Sequence, residues 1–248
     1  MAGHSHWAGI KHKKGKADKQ RSKLFSKLSR EITVSAKLGM PDASMNPRLR
    51  SAIQAAKEAN MPKDNIDRAI KKSQGGDEAN YEPVTYEGFG PGGTAIIVEA
   101  LTDNKNRTVS NVRSIFEKNG CSLGSAGSVS YQFSKVGLIK VKKDKCLEEE
   151  IFELSTNNGA SDFKVEDDFY EIFSEKNNLH QLQGILEKKY GELNFSGIVW
   201  NPNSTVNVDK LNFEKIINFI ESLEDDDDVQ KVYSNFEVDE NIIKELAS

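Results

Sequence analysis

The spacing of apolar positions along this chain changes character twice. Residues 1–17, MAGHSHWAGIKHKKGKA, show no period at all. Glycines, lysines, histidines and one tryptophan cannot bury a core, and the segment is expected to be mobile on its own. From Asp18 a helical spacing begins and runs to about Leu38, where Gly39 and Pro41 stop it. Asn46 followed by Pro47 joins a capping side chain to a first-turn proline and opens a second helix, to about Ala59. Pro62 opens a third, with Ile66, Ala69 and Ile70 on one side, ended by Gly75-Gly76. Three short helices joined by brief turns predict a small bundle.

Beyond residue 80 the period shortens. Residues 81–87 read as a strand, GFGPGG (88–93) as a turn, and TAIIVEAL (94–101) as a buried strand rich in β-branched residues. Residues 104–119 predict a helix with Val109, Val112, Ile115 and Phe116 inward, closed by Asn119-Gly120. A strand is expected at 128–133 and another from 137 to 142. Further helices are expected near 147–157 and 178–190, with strands near 163–166, 169–174 and 196–201. After Pro202 come a short strand, a helix at 209–223 and a last strand at 229–236. This order predicts an α+β protein: an N-terminal three-helix domain (1–78) followed by two ferredoxin-like α/β domains. The last of these (135–204) is inserted in the one before it (79–134 with 205–248), because helix 209–223 and strand 229–236 complete the sheet begun at 94–133.

Charge adds what periodicity does not show. The chain has 248 residues and a net charge of −4. Residues 1–75 hold 17 Lys/Arg against 6 Asp/Glu, a net of +11, while residues 76–248 hold 17 against 32, a net of −15. Charge spread evenly would serve solubility equally well, so a basic head on an acidic body points to a polyanion partner for the head. The acidic α/β region is left for a protein partner.

At about 100° per residue, Lys19, Lys23, Lys27, Arg30 and Lys37 fall in one narrow stripe of the first helix. Leu24, Phe25, Leu28, Ile32 and Ala36 fall on the opposite side. The expected picture is a helix with one face packed on the bundle and the other presenting cations to phosphates; Arg21, outside the stripe on the same helix, is counted with them as a binding residue. Upstream, Lys11, Lys13, Lys14 and Lys16 add four cations, and Trp7 and His12 bring flat rings able to stack on bases. Trp7 reads equally well as an apolar anchor on the bundle.

Other chemistry finds little support. His4, His6 and His12 invite a metal reading, but such N-terminal histidines bind copper or nickel as a common accident of peptide chemistry. No metal or cofactor is expected. GFGPGG leads into a strand, whereas a dinucleotide loop must open a helix. Residues 225–228 lack the spaced ligands of a calcium loop and read as a solvated turn. Cys121 and Cys146 read as two reduced thiols, and His180 has no assignable catalytic partner. No apolar run reaches the roughly 18–20 residues of a membrane span. A monomeric, non-enzymatic cytoplasmic protein is expected.

Three stretches carry a resemblance. GHSHWAGIKHKKGKADKQRSKLFSKLSREI, NPRLRSAIQAAKEANMPKDNIDRAI and YEGFGPGGTAIIVEALTDNKNRT are similar to signature segments of the YebC/PmpR family of regulatory proteins. The likeness is specific over residues 3–133 and collinear beyond. It implies a helical domain and two α/β domains, the last inserted in the one before. It also implies a DNA-binding transcriptional regulator or, as in other members including mitochondrial ones, a ribosome-associated translation factor whose partner is ribosomal RNA. Mitochondrial members carry a transit peptide; here the signature starts at Gly3, so the resemblance favours a bacterial cytoplasmic protein. The acidic runs of the α/β region depart from the basic surface that the family leads one to expect.

Overall fold

Helix α1 (Ala17–Leu38) ends at a turn built around one side chain. Asn46 donates to Ser35 O and Met40 O (both 2.8 Å) and accepts from Leu49 N–H at 3.1 Å. It thereby closes the end of α1 while capping α2 (Pro47–Glu58). The approach is so close that a Cβ on Gly39 would lie 2.5 Å from the Asn46 amide. Helix α3 (Lys63–Lys72) follows, tied to α1 where Thr33 Oγ1 donates to Ala69 O. Ile32, Leu49, Ala56, Ile66 and Ala69 are all buried, which brings the apolar stripes of the three helices inward. The structure is a computed structural model. It describes residues 17–75, 81–239, 241–242 and 245, with side chains from Arg21 onward.

The chain forms two compact units. Among the described residues, one gathers 17–27, 81–134 and those from 202 onward; the other gathers 28–75 and 135–201. Helix α1 therefore gives its first half to one unit and its second half to the other.

In the first unit, β1 (Glu82–Phe89) and β2 (Ala95–Thr102) form a hairpin from Glu82↔Thr102 to Phe89↔Ala95. Gly92 and Gly93 turn the chain with φ of 70° and 76°, so the GFGPGG segment is the hairpin turn that its context predicts. After helix α4 (Lys105–Lys118) and the short β3 (Ser122–Leu123) the chain leaves this sheet. It returns through β8 (Val206–Asn207), helix α7 (Lys210–Glu224), β9 (Val229–Ser234) and β10 (Phe236–Glu237). The sheet order is β3-β1-β2-β9, and β8 pairs with β10 in parallel. Ile96 and Val98 pack against Val112 and Phe116 of α4 and Phe213, Ile216, Phe219 and Ile220 of α7. Phe116 and Phe219 meet edge to face at 4.8 Å.

In the second unit, β4 (Phe133–Lys142), α5 (Glu148–Asn157), β5 (Ala160–Val165), β6 (Phe169–Ser174), α6 (Leu179–Tyr190) and β7 (Phe195–Pro202) follow one another. Their order β5-β6-β4-β7 is the ferredoxin-like arrangement. Ile139, Val141, Ile151, Ile172, Leu182 and Leu186 form its core. The first sheet has the same spatial order with one substitution: β1, which precedes β2 in the chain, fills the place that β6 holds here. Because β4 to β7 lie in the chain between β3 and β9, the second α/β segment is inserted in the first, as expected.

One expected strand is absent. Residues 128–133 form a turn and a short 3₁₀ segment (Ser130–Gln132) before β4 begins at Phe133. The buried Glu87 carboxylate accepts the N–H groups of Gly127, Val129 and Ser130 at 2.9, 2.9 and 2.7 Å, and so takes donors that a strand ladder would need. The place beside β1 goes instead to Ser122 and Leu123.

Candidate nucleic-acid interface

Helix α1 carries the expected cations, but not all of them face outward. Trp7, Lys11, His12, Lys13, Lys14 and Lys16 lie outside the described residues, as do His4 and His6. Lys19 lies in α1, and its side chain is outside them too. Arg21 is exposed and sits over the Phe25 ring at 5.4 Å. Arg30 is half-buried, and Lys37 is exposed in the last turn.

Lys23 and Lys27 correct the expected outward stripe. Lys23 Nζ lies 2.6 Å from Asp225 Oδ1 and donates to Asp225 O at 3.0 Å. Lys27 Nζ donates to Glu224 O at 2.5 Å. Leu24, expected inward, is 42% exposed. The cause lies at the end of α7. The last carbonyls of a helix have no intrahelical donors, and the negative end of the dipole attracts cations. Here the acidic run adds full charges. Burial pulls the Lys27 ammonium below its ordinary pKa, more than the nearby Glu224, Asp226 and Asp227 raise it.

The acidic turn is only in part the solvated loop that its composition suggests: Asp225 and Asp227 are exposed, but its far end is not. Asp228 is only 3% exposed. Its Oδ2 accepts from Arg107 Nη2 at 2.8 Å, Thr108 Oγ1 at 2.7 Å and Thr102 Oγ1 at 3.5 Å. Asp226 accepts from Asn111 at 3.0 Å and from the Asp228 N–H at 2.9 Å. Arg107 also meets Asp103 at 2.8 Å, and the two carboxylates hold its guanidinium above its usual pKa. The turn is thus anchored to α4 at one end and reaches α1 at the other. Nothing near Asp228 in the sequence signals this burial, because its partners Arg107, Thr108 and Thr102 lie 120 or more positions earlier. The same holds for Glu87, whose loop partners lie about 40 positions on.

His180 is exposed, and burial pushes the Cys121 and Cys146 thiols up, away from the thiolate form. Among the described residues no group of His, Cys, Asp and Glu is placed to hold a metal ion, and no helix is long and apolar enough to cross a membrane. A cleft of about 440 Å³ opens between α2 and α6, with Ile53 and Leu193 in its lining beside Arg50, Lys57, Glu187 and Glu192. Its charges are partly spent on one another, with Lys57 and Glu192 at 3.0 Å and Arg50 and Glu187 at 3.8 Å.

Comparison with known proteins gives concordant results. Residues 5–76 match the TACO1/YebC protein N-terminal domain, and residues 81–236 match the TACO1/YebC second and third domain. A probable transcriptional regulatory protein of Pelagibacter ubique (strain HTCC1062) is 56% identical over 241 residues, covering 97% of this chain and all of that protein. The crystal structure of a conserved hypothetical protein, Aq1575, from Aquifex aeolicus superposes with a TM-score of 0.85 at 46% identity, covering 94% of this chain and 97% of that one. The same family thus accounts for both the helical head and the nested α/β sheets, and the chain belongs to the TACO1/YebC family.

Proposed function

We propose that this protein is a non-enzymatic regulator of gene expression that binds DNA through its basic head. The observation that carries the reading is charge segregation: +11 over residues 1–75 against −15 over the rest. Lysine and arginine neutralise phosphates with little regard to sequence, and release of counterions supplies the affinity. The Pelagibacter relative, named a probable transcriptional regulatory protein, supports a regulatory role. We assign the head to residues 1–78 and the two α/β domains to 79–134 with 205–248 and to 135–204. We take the protein to act as a cytoplasmic monomer, its acidic α/β region serving a protein partner. The non-enzymatic reading rests on thiols held in their unreactive form and on the exposed, unsupported position of His180.

The same cations suit an RNA backbone, and the sequence of the head has no recognisable helix-turn-helix with a polar reading helix. This feature favours backbone binding over base readout and makes ribosomal RNA, with a role in translation, the second reading. Crosslinking in cells followed by sequencing of the bound nucleic acid tests both. Recovery of promoter DNA is the expected result; recovery of ribosomal RNA would replace transcription with translation, and recovery of neither would reject the head as a nucleic-acid site.

A further inference from the structure

We propose that the acidic turn after α7 is an internal competitor for the basic head. Its Asp225 carboxylate and the Glu224 and Asp225 carbonyls occupy, on Lys23 and Lys27, the positions that nucleic-acid phosphates would take. This rests on the reading of the head as a nucleic-acid site, and it adds a condition: the turn must release the lysines before they can serve. Both sides of the contact belong to the same compact unit.

The geometry is that of a charged ligand seated on its site. The Lys23–Asp225 separation of 2.6 Å is a charge-assisted contact of the kind an ammonium makes with a phosphate oxygen. Lys27 is held by a carbonyl, a neutral acceptor, at 2.5 Å. A phosphate would put an anionic oxygen in direct contact with Lys27, whereas the carboxylates of Glu224, Asp226 and Asp227 act on it only from nearby.

The two ends of the turn differ in a way that suits release. Asp228 is buried under Arg107, Thr108 and Thr102, so that end belongs to the fold. The Asp225 side chain is 73% exposed against 28% for Lys23, so the anion that holds the lysine is itself open to solvent. Ion pairs with an exposed partner contribute about 0–1 kcal/mol and weaken with salt, so a polyanion can displace one. The competitor is therefore fixed in place yet loosely held, and a single chain carries both the site and its mask.

The experiment uses the full-length protein, a random-sequence DNA duplex and a salt titration. Asp225→Asn should tighten binding about two- to fivefold, the equivalent of the exposed ion pair it removes. It should also steepen the slope of log affinity against log salt by about one, because one more cation becomes available to phosphate. Glu117→Gln, which removes one negative charge from the exposed face of α4, should leave affinity and slope near those of the unaltered protein. In a Lys23→Gln background Asp225→Asn should lose its effect. Equal gains from Asp225→Asn and Glu117→Gln would overturn the proposal by showing a general charge effect, and so would an unchanged Asp225→Asn. Absence of duplex binding in every variant would remove the DNA site itself, and the competition with it.

Discussion

Glu87 is a carboxylate 7% exposed that takes three backbone N–H groups from one loop. Burial raises its pKa, but the donors of Gly127, Val129 and Ser130 outweigh this and hold the carboxyl below the ordinary 4.5 of glutamate. A depressed carboxyl contributes stability that is complete above the unfolded value and lost as pH falls through the folded one. Glu87→Gln should therefore cost about 1–3 kcal/mol in urea unfolding at pH 7. The difference from the unaltered protein should shrink as pH drops below 4.5, and a gap that stayed constant would show that charge is not what holds the loop. Asn46 poses a simpler question at the same scale. It is 6% exposed and satisfies two carbonyls and one N–H. Asn46→Ala should lower stability by about 1–2 kcal/mol, and thermal melts will show whether the α1–α2 corner depends on it.

Among elements, α1 determines what the head can do. Its second half buries Ile32, Val34 and Ala36, while in its first half Lys23 and Lys27 are turned to the end of α7. Lys11, Lys13, Lys14 and Lys16, half of the remaining candidate cations, precede the helix together with Trp7 and His12. Deleting residues 1–17 should therefore remove most nucleic-acid affinity. The described cores begin at Ile32, so circular dichroism and the melting temperature should change little. A truncated protein that bound DNA as tightly as the full chain would move the site into α1 or beyond.

For the whole molecule the expectation concerns salt. Engagement of five to seven phosphates gives a slope of log affinity against log salt of about −4 to −6 on duplex DNA. A slope near zero would mean that the contacts are not ionic, and charge segregation would then have no bearing on binding. The internal contacts at Lys23 and Lys27 act in the same measurement, because cations already engaged with the acidic turn release fewer counterions.

Much of this architecture is written locally. Asn46-Pro47, Gly39, the two-glycine hairpin turn and the change from helical to alternating spacing depend on neighbours a few residues apart, and their elements stand within a residue or two of expectation. The β-α-β-β-α-β order likewise determined the nested sheets, since each crossover helix needs a strand on either side. The basic head and acidic body are plain from residue counts alone. The fate of individual charges is not. Lys23 meets a carboxylate 202 positions away, Asp228 is buried by residues 120 or more positions earlier, and Glu87 reaches a loop about 40 positions on. Period and composition describe which face a residue occupies on its own element, whereas tertiary packing alone decides what lies against that face. A stripe of lysines is therefore legible in sequence, but which of them remain for a phosphate depends on the helix end and acidic turn that the fold brings beside them.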